Sequence, residues 1–291
     1  MFFAKLTRYL RKTSKYAGFP AMAEWPYRLP EDLPPEQVGA IQARADELGA
    51  VAQYGWGHTI DFGVFQKQGI LGNAYLGIAG LLDQWEWWPR SFDGLSLADV
   101  GCFTGGLTLL MAARDPKVIY AIDEIPEHIH QCEFLCEVFK CLNVKTIQAS
   151  LYNLQEHIEA SSLDLVLLSG VLYHLSDMLV GLLIIRNLLK PGGVLLIESN
   201  AVDDDKQSYA NFGRFYLGMW WQPSALCIQD MCEFTGFERP EIRFYLEDRC
   251  LARTVRTKEK IPFKRGMNWK FYSLKDERPR PVDPSVMAPV R

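Results

Sequence analysis

The segment Ser-Leu-Ala-Asp-Val-Gly-Cys-Phe-Thr-Gly-Gly at residues 96–106 is an apolar strand running into a glycine-bearing turn. A second apolar strand, Val118-Ile119-Tyr120-Ala121-Ile122, follows and ends in Asp123 and Glu124. Strand, tight turn and strand-end acid in this order open an α/β sheet with an adenosine-type ligand at its edge. The turn lets backbone approach the ligand, and the acid can accept hydrogen bonds from ribose hydroxyls.

Two ligand types compete for such a site. A nicotinamide dinucleotide needs Gly-x-Gly-x-x-Gly with a helix N-terminus aimed at its pyrophosphate. Here Asp99 stands two residues before Gly101, Phe103 takes the place of a second glycine, and Gly105 and Gly106 follow. A carboxylate there suits a cation such as the ammonium of S-adenosylmethionine better than a pyrophosphate.

From Ser96 onward strands and helices alternate, the pattern of a mainly parallel sheet. Strands are expected at 97–100, 118–122, 146–149, 163–168 and 194–198, with the fourth buried on both faces. A helix over 179–189 stops at Lys190-Pro191-Gly192-Gly193. Ser224 caps a helix through Phe234 that Gly236 closes, and strands at 241–246 and 251–257 form a hairpin through Glu247-Asp248. Before the turn, helices are expected at 36–48 and 73–83, with a short aromatic strand within 54–63. Trp85, Trp87 and Trp88 read as packing under the sheet. The expected division is a lid and substrate-side section over 1–90, a ligand-binding domain over 91–275 and an extended Pro-rich tail over 276–291.

In open α/β sheets the ligand lies outside the carboxyl ends of the strands. Those ends supply Asp99, Gly101, Phe103 and Gly105, then Asp123 and Glu124, then Ser150 and Leu151 as an adenine wall. The fourth end supplies Gly170, Tyr173 and His174, and the fifth Glu198. His174 and His58 are the candidate bases, their ordinary pKa lying near neutrality, and Tyr173 stands with them as a catalytic candidate.

Composition excludes several classes. A hydrophobic share of 48% and a charged share of 23% are ordinary for a globular protein. No apolar run reaches the ~18 residues of a membrane span. The basic amphipathic start, Met1 to Lys12, lacks the apolar core of a signal peptide and reads as a surface helix. Seven cysteines without framework spacing suggest reduced thiols in a cytoplasmic protein. His128, His130, Cys132 and Cys136 read as packing, so no metal is expected. The net charge of −4 advertises no phosphate-tracking surface, and the basic run Arg253, Arg256, Lys258, Lys260, Lys264 and Arg265 reads mostly as a solvated strand face. The pattern is compatible with a homodimer.

Residues 54–237 resemble the class I methyltransferases, in the branch of the tRNA wobble-uridine carboxymethyltransferases. Asp99-Val-Gly-Cys-Phe-Thr-Gly105, Gly170-Val-Leu-Tyr-His174 and Met219-Trp-Trp-Gln-Pro-Ser224, the last following Arg214-Phe-Tyr216, carry the resemblance. It implies a Rossmann-like α/β fold: a seven-stranded mainly parallel sheet with helices on both faces, plus an N-terminal helical and aromatic lid. It also implies S-adenosyl-L-methionine as donor. Members of the branch that use a carboxylated donor meet the additional carboxylate with a lysine before the His58-like segment and an arginine after Tyr-His. Residues 51–57 hold no lysine, and the arginine place is Leu175, so the ordinary donor is expected. The leading expectation is a small-molecule acceptor lined by Tyr54, Trp56, Glu198, Arg214, Trp220 and Trp221. The alternatives are a tRNA-modifying enzyme and a non-catalytic adenosine-ligand binder.

Overall fold

The structure, a computed structural model, describes residues 18–258 except Pro20 and Leu217, and omits the side chains of Arg214, Phe215 and Tyr216. The N-terminal basic stretch, Lys260, Lys264, Arg265 and the Pro-rich tail lie outside the described residues.

Seven strands build the central sheet: β3 (Ser96–Val100), β4 (Val118–Asp123), β5 (Val144–Gln148), β6 (Leu163–Ser169), β7 (Leu189–Asn200), β10 (Glu241–Leu246) and β11 (Arg249–Val255). Their order is β10-β11-β7-β6-β3-β4-β5. The five from β7 to β5 run parallel, while β11 and β10 close the far edge antiparallel. The apolar run Leu165–Leu168 of β6 is at most 3% exposed, because a central parallel strand is covered on both faces.

The pleat sends alternate residues to two cores. Leu97, Ile119, Leu165, Leu167 and Leu196 face α3 (Gly106–Ala112), α4 (Pro126–Phe139) and the N-terminal section. Ala98, Val100, Ile122, Val166, Leu168 and Ile197 face α5 (Met178–Leu188) and α6 (Ala225–Phe234). The chain changes face between β3 and β6, which are neighbours in the sheet, so the crevice of an open α/β sheet opens at their carboxyl ends.

The N-terminal section contributes α1 (Pro35–Val51), the two-residue strands β1 (Ile60–Asp61) and β2 (Gln66–Lys67), and α2 (Ala74–Gln84). Its Trp56, Ile60, Phe62 and Tyr75 belong to the same core cluster as Leu97 and Ile119. Trp87 and Trp88 are each 4% exposed and sit in that core, as packing. The strand expected within 54–63 shrinks to Ile60–Asp61, because residues 52–59 spend their polar groups on α1, on residues 69–72 after β2 and on the Gly-rich turn. The hairpin of β8 (Ala210–Tyr216) and β9 (Met219–Pro223) had no clear periodicity in the sequence.

Gly80 in α2 lies under the backbone of Ala21: an added Cβ would meet its carbonyl oxygen at 2.3 Å. Alanine in a helix interior normally stabilises by about 0.5–1 kcal/mol over glycine. Here Gly80→Ala is expected to destabilise instead, by about 1–3 kcal/mol, in a denaturant titration; a stabilised variant would show that the 21–23 segment is not held there.

Candidate active site at the carboxyl edge of the sheet

The Gly-rich turn is bound from both sides by protein. Gly101 and Cys102 donate their backbone N–H groups to Ile122 O at 2.8 and 2.9 Å. Phe103 N–H donates to Asp123 Oδ2 at 3.0 Å and Gly106 N–H to His58 Nδ1 at 3.1 Å. Gly105 N–H donates to Cys102 O at 2.9 Å. A pyrophosphate site needs such amides free to face the ligand; these are consumed. Gly101, at φ +74°, also admits Val171 where a Cβ would lie 2.2 Å from its Cγ2. Phe103 holds φ +53°, and its ring stands edge-on to His58 and His128 at centroid distances of 5.4 and 4.4 Å. Gly57 makes room for it, since a Cβ there would fall 1.9 Å from the ring.

His58 is therefore a tie. It is 7% exposed, its Nδ1 accepts from Gly106, and its own N–H donates to Thr104 Oγ1 at 3.0 Å. Burial, with a smaller contribution from His128, pushes its pKa down to about 3. It is a neutral acceptor that holds the turn rather than the base expected from the sequence. Trp56 likewise leaves the acceptor wall: it is 4% exposed and donates Nε1–H to Ala45 O at 2.9 Å. Tyr54 is 57% exposed, with its hydroxyl on Gln53.

Two carboxylates flank the turn in different states. Asp123 Oδ2 accepts from Phe103, while Oδ1 accepts from Ile125 N–H at 3.0 Å and lies 3.1 Å from His128 Nδ1. With two lone pairs per oxygen, Oδ2 keeps one acceptor position for a ribose hydroxyl. Only this one oxygen is left for the ribose, since Oδ1 is taken by Ile125 and His128. Glu124 beside it is exposed. Asp99 is 1% exposed, and Thr108 Oγ1–H donates to its Oδ2 at 2.6 Å. Desolvation raises its pKa from 3.8 to about 7 against the opposing Thr108 hydrogen bonds.

At the other strand ends, Gly170 turns at φ +72° and leads into the 3₁₀ turn Leu172–His174. His174 Nδ1 lies 2.9 Å from Gly218 O in the β8–β9 hairpin. That bond assigns the proton to Nδ1 and leaves the Nε2 lone pair available. Although His174 keeps an exposed face, the chain packed around it desolvates the ring and holds its pKa below the ordinary value despite the Gly218 bond. The Tyr173 ring packs against that of His174, tilted by 45° with centroids 4.2 Å apart. Trp221 Nε1–H donates to Ser176 O at 3.0 Å, anchoring the hairpin over this segment; Trp220 beside it is half-buried. Ser150 opens the 3₁₀ turn Leu151–Glu156, and Leu151 is 6% exposed. The Arg214 side chain is outside the description.

Glu198 does not line an acceptor pocket. It is 1% exposed and takes a two-pronged ion pair from Arg249, Nε to Oε1 at 2.7 Å and Nη2 to Oε2 at 2.6 Å, plus the Tyr245 hydroxyl at 2.7 Å. Arg249 Nη1–H then donates to Tyr173 OH at 3.0 Å. Sequence reasoning missed Arg249, having noted only that the arginine place after Tyr-His is Leu175. Arg249 pairs with Asn200 across the antiparallel register of β11 and β7, which carries it to the ligand edge. An arginine directly after the 247–248 hairpin turn was the available signal. Leu175, the expected arginine place, is 7% exposed in the core.

Residues 91–242 match the family described as a methyltransferase domain. The chain belongs to that family. Its curated relatives include the tRNA U34 carboxymethyltransferase of Desulfotalea psychrophila, 30% identical over 148 residues that cover 50% of this chain and 45% of the relative. The enzyme of the same name from Azotobacter vinelandii is 28% identical over 217 residues, 68% of this chain and 62% of the relative. The chain thus spans about half to three fifths of the length of these two relatives. Among solved structures, the [4+2]-cyclase SpnF superposes with a TM-score of 0.54 at 14% identity, over 79% of this chain and all but 2% of that one, which it covers to 98%. The Haemonchus contortus phosphoethanolamine N-methyltransferase 2 in complex with S-adenosyl-L-methionine gives 0.51 at 14%, over 61% and 52%. These two show the fold. The expected methyltransferase family and its Rossmann-like sheet are both met.

The residues present fit that donor. A desolvated carboxylate with a single side-chain partner suits an ammonium, and Asp123 Oδ2 suits a ribose hydroxyl. Because the fold raises the Asp99 pKa, the unfolded chain releases this proton first. The ligand-free fold therefore loses stability as pH rises from 3.8 to about 7. Asp99→Asn is expected to be more stable than the wild type at pH 8 by on the order of 4 kcal/mol and no different near pH 3.5, in thermal melts. S-adenosylmethionine affinity of the wild type should weaken as pH falls below about 7, where the proton competes with the ammonium. In Asp99→Asn it should be weak and flat with pH; a pH-dependent calorimetric affinity in that variant would remove Asp99 from the site.

Proposed function

We propose that the protein transfers a methyl group from S-adenosylmethionine to an acceptor oxygen, with His174 as general base and a wobble-position uridine of tRNA as the acceptor class. The observation that carries the chemistry is the His174 Nδ1 contact to Gly218 O at 2.9 Å. A base must hold its lone pair toward the acceptor in a fixed tautomer, and this bond leaves Nε2 for that purpose. The acceptor class is supported by the names of the relatives.

S-adenosylmethionine, when bound, supplies an electrophilic methyl group on sulfur. Asp99 would pair with its ammonium, and Asp123 Oδ2 would receive a ribose hydroxyl. His174 Nε2 takes the proton of the acceptor hydroxyl. Arg249 brings little unspent charge, since Glu198 occupies two of its nitrogens and Tyr173 the third. An additional carboxylate on the donor would meet a neutralised pair, which supports the ordinary donor.

A second reading, a small-molecule acceptor, is favoured by charge. Of the 31 basic residues, 13 lie within 1–17 and 259–291, together with four of the 35 acidic ones. The body between them carries 18 basic against 31 acidic residues, and Asp203, Asp204, Asp205, Glu247 and Asp248 follow the carboxyl ends of strands or the hairpin beside them.

Incubation with labelled donor and either bulk tRNA or a panel of small hydroxy acids separates the two readings by where the label goes. His174→Ala should slow transfer by roughly 10²- to 10⁴-fold with donor affinity unchanged. Since its pKa is lowered, the base stays neutral at and above pH 7, and with saturating donor the wild-type rate should be flat there, with the acid limb at lower pH. Equal losses of rate and donor affinity in the variant would make His174 structural.

A further inference from the structure

The amino-terminal edge of the sheet, opposite the candidate active site, holds a groove of about 450 Å³ lined by Lys117, Lys145, Lys190, Ser96 and Tyr120 among others. The groove exists because β5 is joined to β6 through the short 3₁₀ turn Leu151–Glu156 in place of a full helix. One face of β4 is therefore fully covered, Ile119 and Ala121 being 0% exposed, while Val118 and Tyr120 on the other face stay half-buried.

Its charge is unlike that of the body between residues 18 and 258 as a whole, in which acids outnumber bases 31 to 18. The neighbouring carboxylate, Asp164, is consumed: it accepts from Ser96 N–H at 2.9 Å and from Lys190 Nζ at 2.7 and 2.8 Å. Lys117 and Lys145 are exposed and make no ion pair among the described residues. Lys145 lies on the edge strand, where a lysine also discourages strand addition. Lys117 precedes β4 inside the sheet, and that explanation does not reach it.

We propose that this groove binds backbone phosphates of an RNA chain whose target nucleotide sits at the carboxyl edge. The proposal rests on the tRNA reading of the function. The five residues of β3 separate the two edges by roughly 17 Å at about 3.3 Å per residue. A helical strand with one phosphate per ~3.4 Å covers that span with about five phosphates. Lys117 and Lys145 would each neutralise one, and the hydroxyl of Tyr120 would donate to another oxygen.

The test is binding of bulk tRNA to the full chain, by fluorescence anisotropy between 50 and 200 mM salt. The double variant K117Q/K145Q should lose roughly 3- to 10-fold in affinity and about two units of the log–log salt slope. Its S-adenosylmethionine affinity should be unchanged, as should tRNA binding by R28Q, which removes a charge elsewhere. If the wild type binds tRNA and the double variant binds it equally with the same slope, the groove assignment falls and the tRNA reading survives. If the wild type does not bind tRNA, both fall. Lysine-dependent binding of inorganic pyrophosphate without tRNA binding would overturn the RNA assignment in favour of a small phosphate ligand.

Discussion

Everything at the ligand edge depends on how the turn after β3 is stitched. Asp123 takes Phe103 N–H, His58 takes Gly106 N–H, and Ile122 O takes Gly101 and Cys102. A glycine-rich turn usually has spare amides, and those amides attract anions. Here the protein has filled them from β4 on one side and from the N-terminal section on the other. The turn keeps its shape but loses its anion-binding character. That single rearrangement separates a sulfonium site from a dinucleotide site more sharply than the count of glycines does.

The same edge holds two deeply buried carboxylates, and their different partners assign their roles. Glu198 at the end of β7 is neutralised by Arg249 and hydrogen-bonded by Tyr245. A paired buried charge of this kind is costly to break from one side and has little left to offer a ligand. Asp99 at the middle of the sheet has a hydroxyl from Thr108 and, among the described residues, no cation. The Thr108 hydrogen bonds relieve its desolvation only in part, and a ligand ammonium would relieve the rest. A stabilising pair and a ligand-seeking group thus come from the same residue class, a few strands apart, distinguished only by whether a guanidinium arrives.

That distinction was not legible in the sequence, and the reason is physical. The parallel strands declared themselves through apolar runs such as Leu165–Leu168, and Ser224 was readable as a cap because its hydroxyl has one obvious use, accepting Cys227 N–H. Residues near the turn in sequence, Asp99, Phe103 and Asp123, were found by spacing alone. Arg249 was not, because it reaches Glu198 only through the antiparallel return of β11, a tertiary fact. Trp56 and His58 looked like lid groups, since aromatic and imidazole side chains between glycines suit a mobile cover. Their burial follows from contacts to α1 and the turn that no local pattern encodes. The β8–β9 hairpin escaped because its described contacts are split, Ala210 and Trp221 packing against one sheet core while Trp221 also ties to Ser176 and Gly218 to His174, so no strict alternation is needed.

The distribution of charge bears on the acceptor more than the fold does. An acidic body repels a polyanion over distances set by the Debye length, about 8–10 Å in ordinary buffer. A polyanionic acceptor would have to approach the carboxyl edge past Asp203, Asp205 and Glu247, all exposed. It could do so only if cations elsewhere hold it there, and among the described residues the amino-edge lysines are placed to do this without interfering with Asp99 or His174. A small neutral or cationic acceptor would need no such anchor, and for it the lysines would be idle. The two acceptor readings therefore differ in whether the edge of the sheet farthest from the chemistry contributes to binding at all.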